Sequence, residues 1–370
     1  MSDKQVFLIF PGGGWRNQLL LKDCGLVPFL FCKNHGFSRA VLVGSKVEGE
    51  TFPYLEKLPG LELDFLPEDT EQARFDWIAD NAKNFDLMLC YNINGIYYYL
   101  ISDYKKLRPD GKIYFATDMN IGWADRLEHE STWMKFCLQT SDVVGASCRA
   151  TQKYLSAKWN VPVELFRNGF YNFANASFDN LFEGKENIIL TVARIGTFQK
   201  QNEIMLEAFA KVAEKIPSWK MRLVGNIEEN FQPYIKNYFE RFPNLQDRVI
   251  FVGLVENKID LMQEYKKAKI FCLSSNMEGG APNVTCEALF AGCFVVTSAV
   301  DAASDMTDNK NCGRIFPIGD IDALAKIFVE VCNDEKILSE GMKRAADYGR
   351  REFDMEKIVA RLNYLLFGGD

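Results

Sequence analysis

The sequence predicts an α/β chain made of two doubly wound domains, and three observations carry that expectation. Strand-like and helix-like stretches alternate from end to end, and the pattern restarts near the middle of the chain. Several strand-like runs end in glycine-containing turns, where backbone can approach a ligand closely. The 370 residues exceed one average domain and suit two of roughly 150 to 200.

In the first half, short apolar runs rich in strand formers predict strands at Gln5 to Phe10, Ala40 to Gly44, Leu61 to Phe65, Asp86 to Tyr91, Lys112 to Ala116 and Asp142 to Ala146. Helical spacing appears between them, as in Gln18 to Asn34 and Ser131 to Gln139. The second half predicts strands at Asn187 to Ala193, Lys220 to Val224, Arg248 to Val252, Ile270 to Leu273 and Phe294 to Thr297. The asparagine-rich stretch from Tyr171 to Glu186 has no clear period and reads as the linker. The first domain is therefore expected over 1–175 and the second over 176–352, facing one another across a cleft with ligands at the carboxyl ends of strands.

Composition narrows the function. A formal net charge of -7 argues against a general nucleic-acid binder, which shows a basic field. No apolar run reaches the roughly 18 residues of a membrane span. The N-terminus enters a strand directly and carries no signal pattern, so a cytoplasmic location is expected. The ten cysteines form no CxxC pair and lie mostly in apolar runs, which reads as buried, reduced thiols. Two histidines, His35 and His129, leave almost no material for a Cys/His metal centre and read as surface or loop residues.

The most informative stretch is Met277-Glu-Gly-Gly-Ala-Pro-Asn-Val-Thr-Cys-Glu-Ala-Leu-Phe-Ala-Gly292, which follows a predicted buried strand and sets Glu278 and Glu287 on either side of a turn. Pro282 suits a first helical turn. The N–H groups of Asn283, Val284 and Thr285 would then point from the helix start toward an anion, with Gly279 and Gly280 in the turn. An ordinary strand-turn-helix with two surface acids fits the same residues. The first strand ends in Phe10-Pro-Gly-Gly-Gly-Trp-Arg-Asn17, where Gly13 and Gly14 form a loop able to approach a phosphate or sugar, or simply a tight strand-helix turn. Neither GxGxxG nor GxxxxGK[ST] occurs, so a dehydrogenase or nucleoside-triphosphatase is unsupported. In Ala193-Arg-Ile-Gly-Thr-Phe-Gln-Lys200, Arg194 and Lys200 flank a strand end and can converge on one diphosphate. Gly225 closes a further strand. Gly253, with Val255 two residues on, would let a flat base lie against backbone.

Taken in order from Asn187 to Asp322, these motifs resemble the donor-binding half of glycosyltransferase family 4, the retaining enzymes of the GT-B fold with its two Rossmann-like domains. Cys312-Gly-Arg-Ile-Phe-Pro-Ile-Gly-Asp320 is similar to that family's closing loop, and the last helix, in 353–370, resembles its crossover helix returning to the first domain. The resemblance implies a nucleotide-diphosphate sugar as donor and a glycan, lipid-linked or protein acceptor, with peripheral contact at the inner membrane face left open. It implies that Arg194 and Lys200 bind the diphosphate and stabilise charge on it as it leaves. Glu287 would hold the ribose, Glu278 the transferred sugar, and the helix start the phosphates. The departing diphosphate would take the acceptor proton on the same face, so neither a protein nucleophile nor a metal is implied. Two carboxylates could also serve a glycosidase, although hydrolases do not need the basic pair.

Two departures stand out. The family usually has seven residues between its glutamates, whereas Gly279 to Cys286 makes eight here. The family histidine at a first-domain strand end is replaced in Tyr114-Phe-Ala-Thr-Asp-Met119 by Thr117 or Asp118. Asp118 could bind a sugar hydroxyl, act as a base, or be structural. The expected activity is hexosyl transfer in cell-surface glycan synthesis, with a non-catalytic partner subunit or a nucleotide-sugar epimerase or hydrolase as alternatives.

Overall fold

The computed structural model describes residues 3–127, 132–173, 177–178 and 181–368. His129 and the expected helix start at Ser131 lie outside them. The chain forms two compact units, Met1–Tyr171 with Met355–Asp370, and Asn172–Asp354.

In the first unit the strands are β1 (Lys4–Trp15), β2 (Phe37–Lys46), β3 (Leu61–Phe65), β4 (Leu87–Tyr91), β5 (Lys112–Ala116), β6 (Val143–Ala146) and β7 (Glu164–Leu165). They pair in the order β3-β2-β1-β4-β5-β6-β7, every described pairing parallel. Helices cover both faces of such a sheet, which is why Val6, Phe7, Leu8 and Ile9 are all fully buried in an unbroken apolar run. The helix Met355–Phe367 belongs to this unit. It is fastened by Met355 N–H to Phe170 O at 3.1 Å, Lys33 to Glu356 at 2.7 Å and Arg361 Nη1 to Leu165 O at 2.8 Å.

The second unit contains β8 (Glu186–Val192), β9 (Lys220–Val224), β10 (Val249–Gly253), β11 (Ala268–Leu273), β12 (Phe294–Ser298) and β13 (Gly313–Phe316), paired in the order β10-β9-β8-β11-β12-β13 and again parallel. Both sheets therefore follow the doubly wound order, with one point each where the winding reverses: between β1 and β4, and between β8 and β11.

Three expectations need correction. The glycine run after Phe10 is not a strand-helix turn: β1 continues through it with a bulge, and Gly14 and Trp15 pair with Ser45 and Lys46. The expected set of strands also omits two. β7 is two residues long, and β13, within the supposed closing loop, is four residues stopped by Pro317; neither is long enough to show alternation. The stretch Gln18 to Asn34 is a 3-10 turn, Asn17–Leu21, followed by a separate α-helix, Asp23–Asn34.

The ten cysteines are all free thiols, eight of them buried. His35 caps the C-terminus of the helix Asp23–Asn34, half-buried against Phe31. Among the described residues no helix is long and apolar enough to cross a membrane.

Candidate functional site

The strand order reverses between β8 and β11, and the loops leaving the carboxyl ends of those strands carry Arg194, Lys200 and Glu278. The two loops are laced together. Asn276 N–H donates to Gln199 O at 2.9 Å and its amide to Phe198 O at 3.0 Å. Gln199 Nε2 donates to Met277 O at 3.1 Å, and Ser274 Oγ lies 2.8 Å from Lys200 O and 2.9 Å from Gln201 O. Gly196, at φ +90°, has no room for a side chain, since a Cβ would meet Phe231 at 2.3 Å. The site is thus built on a fixed backbone rather than on mobile loops.

At its centre Lys200 Nζ donates to Glu278 Oε1 at 2.5 Å, the two side chains only 13% and 7% exposed. Ser275 Oγ donates to the same oxygen at 2.5 Å, and Gln199 Nε2 reaches Oε2 at 3.4 Å. A buried ion pair of this kind withstands desolvation only with further hydrogen bonds to support it, here from Ser275 and Gln199. Arg194 is exposed and steadied by one bond, Nη2 to Gln199 Oε1 at 3.3 Å. The strand ends therefore hold a buried lysine-glutamate pair with an exposed guanidinium linked to it through Gln199.

The helix Asn283–Phe290 begins beyond this pair, with Pro282 as its cap rather than its first residue. Thr285 N–H turns back to Pro282 O at 2.8 Å, and the Thr285 side chain is fully buried beside Met306. This removes Thr285 from the expected anion-facing set and leaves Asn283 and Val284 at the helix start. Between the two glutamates the chain bends at 279–281, with Gly280 and Ala281 buried and neither glycine at a left-handed φ.

Glu287, on the next turn of that helix, is 7% exposed and bonded at both oxygens. Lys258 Nζ donates to Oε1 at 2.6 Å and Tyr265 Oη to Oε2 at 2.8 Å. Both donors sit on the helix Lys258–Lys267, a turn or two apart on one face. Sequence reasoning passed over them. Their i, i+7 spacing was a signal, but a lysine and a tyrosine on an amphipathic helix read first as a solvated head and a core ring.

Gly225 and Gly253 have different reasons to be glycine. At Gly225, with φ +140°, a Cβ would lie 1.8 Å from Ala193 O, so the close approach that requires glycine is to the residue following β8. Gly253, at φ +82°, has open space where a Cβ would point, and half-buried Val255 follows it. Gly13 and Gly14 lie in the first unit. Gly13 N–H faces Asp69 Oδ2 at 3.3 Å, and a Cβ on Gly14 would meet Val47 Cγ2 at 2.6 Å. Buried Arg74 ties this bulge together, bonding Phe10 O at 2.8 Å, Thr70 O at 2.7 Å and Asp69, whose carboxyl that hydrogen bond holds below its usual range. The carboxylate that Gly13 meets is the protein's own.

Asp118 is exposed at the end of β5 and lines a pocket of the first unit with Asp23, Tyr91, Tyr114, Thr117 and Ser147. Thr117 is structural: its hydroxyl donates to Gly145 O at 2.8 Å. Burial, and then the charge of Asp118, push the Asp23 carboxyl up to about 7. Asp23 was not anticipated, because an aspartate in a first helical turn ordinarily serves only the helix dipole.

Comparison with known proteins bears on the same residues. The sequence model of the family "Glycosyl transferases group 1" matches residues 172–352, the second unit almost end to end. The chain is 31% identical over 188 residues to the Campylobacter jejuni GalNAc-alpha-(1->4)-GalNAc-alpha-(1->3)-diNAcBac-PP-undecaprenol alpha-1,4-N-acetyl-D-galactosaminyltransferase, a match over 50% of this chain and 48% of the relative. It is 22% identical over 191 residues to the phosphatidyl-myo-inositol mannosyltransferase of Mycolicibacterium smegmatis, covering 52% of this chain and 47% of that one. It thus spans about half the length of the curated relatives it matches. Among solved structures, a glycosyltransferase from Rickettsia africae superposes with a TM-score of 0.75 at 15% identity, over 100% of both chains. HepE from Anabaena, in complex with UDP and glucose, superposes at 0.69 and 16% identity over 98% of each. The chain has the GT-B fold of these glycosyltransferases, and its residues 172–352 match the family of group 1 glycosyl transferases.

Proposed function

We propose that the chain moves a hexosyl group from a nucleotide-diphosphate sugar to an acceptor hydroxyl with retention of anomeric configuration, as in family 4, during assembly of a cell-surface glycan. The observation that carries this reading is the Lys200–Glu278 pair, with Arg194 beside it, at the reversal point of the second sheet. Arg194 and Lys200 bind the diphosphate, the guanidinium as a fork and the ammonium as a point charge. As the bond from the anomeric carbon to the diphosphate breaks, both cations stabilise the growing negative charge, a role a metal would otherwise fill. Asn283 and Val284 add helix-start N–H groups. Glu278 accepts from hydroxyls of the transferred sugar through Oε2, and Glu287 from the ribose. The acceptor oxygen bonds to the same face of the anomeric carbon while its proton passes to a departing phosphate oxygen. Asp118 is assigned to the acceptor side. The Campylobacter and Mycolicibacterium relatives, named for polyprenol- and phosphatidylinositol-linked sugars, support a lipid-linked acceptor.

The test is incubation with UDP- and GDP-sugars, with and without a polyprenol-linked glycan, followed by NMR of the anomeric proton in the product. Axial-to-axial transfer requiring acceptor is expected. Free sugar or an epimer formed without acceptor would replace this reading with a hydrolase or epimerase, and inversion would overturn the retaining assignment.

A further inference from the structure

Glu287 does not stand alone in the second unit. It is clamped between Lys258 at 2.6 Å and Tyr265 at 2.8 Å, one donor to each oxygen. The two clamps differ in environment. Tyr265 is fully buried and its backbone oxygen accepts from Cys293 Sγ at 3.2 Å, so its ring and chain are both fixed. Lys258 has a third of its side chain exposed, against 9% for Glu287. It heads a helix whose start is fixed by Asn257, the side chain of which accepts Ile259 N–H at 2.8 Å. It therefore stands at the mouth of the pair, directly after the segment that follows Gly253, where the backbone is open.

The chemistry on offer is specific. A carboxylate with two bonds made keeps about two lone-pair sites, and an ammonium with one bond made keeps two N–H groups. At this separation the pair presents an acceptor and a donor side by side. A phosphate could use the ammonium but would face the carboxylate's negative charge, which at the Lys200–Glu278 pair is offset by the second cation, Arg194. A vicinal diol uses both, because each hydroxyl donates to the carboxylate and accepts from the ammonium. We propose that Lys258 is a specificity-determining residue of the donor site, forming with Glu287 the donor-acceptor pair that reads the ribose diol, while Tyr265 positions the carboxylate. This rests on the assignment of Glu287 to the ribose above, and extends it to two residues outside the motifs.

The experiment is calorimetric titration of the whole chain with UDP and GDP and with their 2′-deoxy analogues, using wild type, Lys258→Met, Lys258→Arg, Tyr265→Phe and Glu287→Gln. Wild type is expected to favour the ribonucleotide. Lys258→Met weakens the ribonucleotide about tenfold and the deoxynucleotide much less, so the preference shrinks, and Lys258→Arg restores most of it while keeping a cation on Glu287. In transfer assays KM for the donor rises with kcat little changed, as for an interaction made equally in ground and transition states. Equal weakening of both nucleotides, or no change in either, would overturn the role of Lys258 while leaving the donor site intact. Failure of wild type to bind any nucleotide, or an unchanged ribo-to-deoxy ratio in Glu287→Gln, would instead overturn the ribose assignment on which it rests.

Discussion

The two units share one winding order but fill its reversal point in opposite ways. In the first, between β1 and β4, the crevice is plugged: Tyr97, fully buried, has its hydroxyl 3.3 Å from Ile9 O and 3.1 Å from Tyr91 O, and accepts Tyr91 N–H at 3.1 Å. In the second, between β8 and β11, the same place holds Lys200, Glu278, Ser275, Gln199 and Arg194. Topology therefore provides a place for a ligand, and side chains decide whether it is used. A phenol that satisfies both strand ends closes the place; in the second unit a cation and a carboxylate stand there side by side.

Breaking each arrangement separates the two cases. The largest effect on stability is expected from Lys200→Ala, which strands a buried carboxylate and should cost about 3–5 kcal/mol in denaturant melts. Adding Glu278→Gln should recover a substantial part, and failure to recover would mean that the pair is not coupled. A loss of activity in Lys200→Ala alone thus mixes folding with chemistry. In the first unit, Tyr97→Phe should cost about 1–3 kcal/mol through unmet backbone groups. It should leave nucleotide affinity at the wild-type value, and a selective loss of that affinity would contradict the structural reading of the plug.

A smaller effect is expected at Asp23 and depends on pH. Its carboxyl titrates near 7 in the folded chain against an ordinary value of 3.8. Between those values the folded state holds a proton that the unfolded state has lost, so this group makes stability fall as pH rises from about 4 to about 7, then level off. Asp23→Asn should match wild type at pH 4 and gain about 1–2 kcal/mol at pH 8, an allowance for a half-buried carboxyl. An equal gain at both pH values would contradict the shift. The smallest effect on stability belongs to Arg194→Gln, an exposed side chain with one long hydrogen bond, within about 0.5 kcal/mol of wild type. Its donor affinity should nevertheless fall at least about tenfold, which separates binding from folding.

Much of this was legible in the sequence because buried parallel strands declare themselves as unbroken apolar runs. Runs such as Lys220–Val224 and Lys112–Ala116 are strands over those same residues. Short edge strands did not declare themselves: β7 and β13 have too few residues for any period. The positions of Arg194, Lys200 and Glu278 were legible, because a motif ties each to a strand end, and there the structure brings Lys200 onto Glu278 with Gln199 bonded to both Arg194 and Glu278. The site was illegible where partners meet only in space. Lys258 and Tyr265 reach Glu287 from another helix, 29 and 22 residues earlier in the chain. The neighbours of the glycines were illegible for a related reason, since Gly225 lies against Ala193 and Gly13 against Asp69, and neither neighbour is near in sequence.

The central claim is that the reversal point of the second sheet binds the diphosphate of a nucleotide-sugar. It is tested most directly by titrating UDP and GDP into wild type, Arg194→Gln and Tyr97→Phe in parallel, with apo melting temperatures measured on the same samples. Saturable binding of one nucleotide by wild type is expected, with an unchanged affinity in Tyr97→Phe and an affinity at least about tenfold weaker in Arg194→Gln at an unchanged melting temperature. Binding of both nucleotides by Arg194→Gln as tightly as by wild type, or no binding by any of the three, would contradict it.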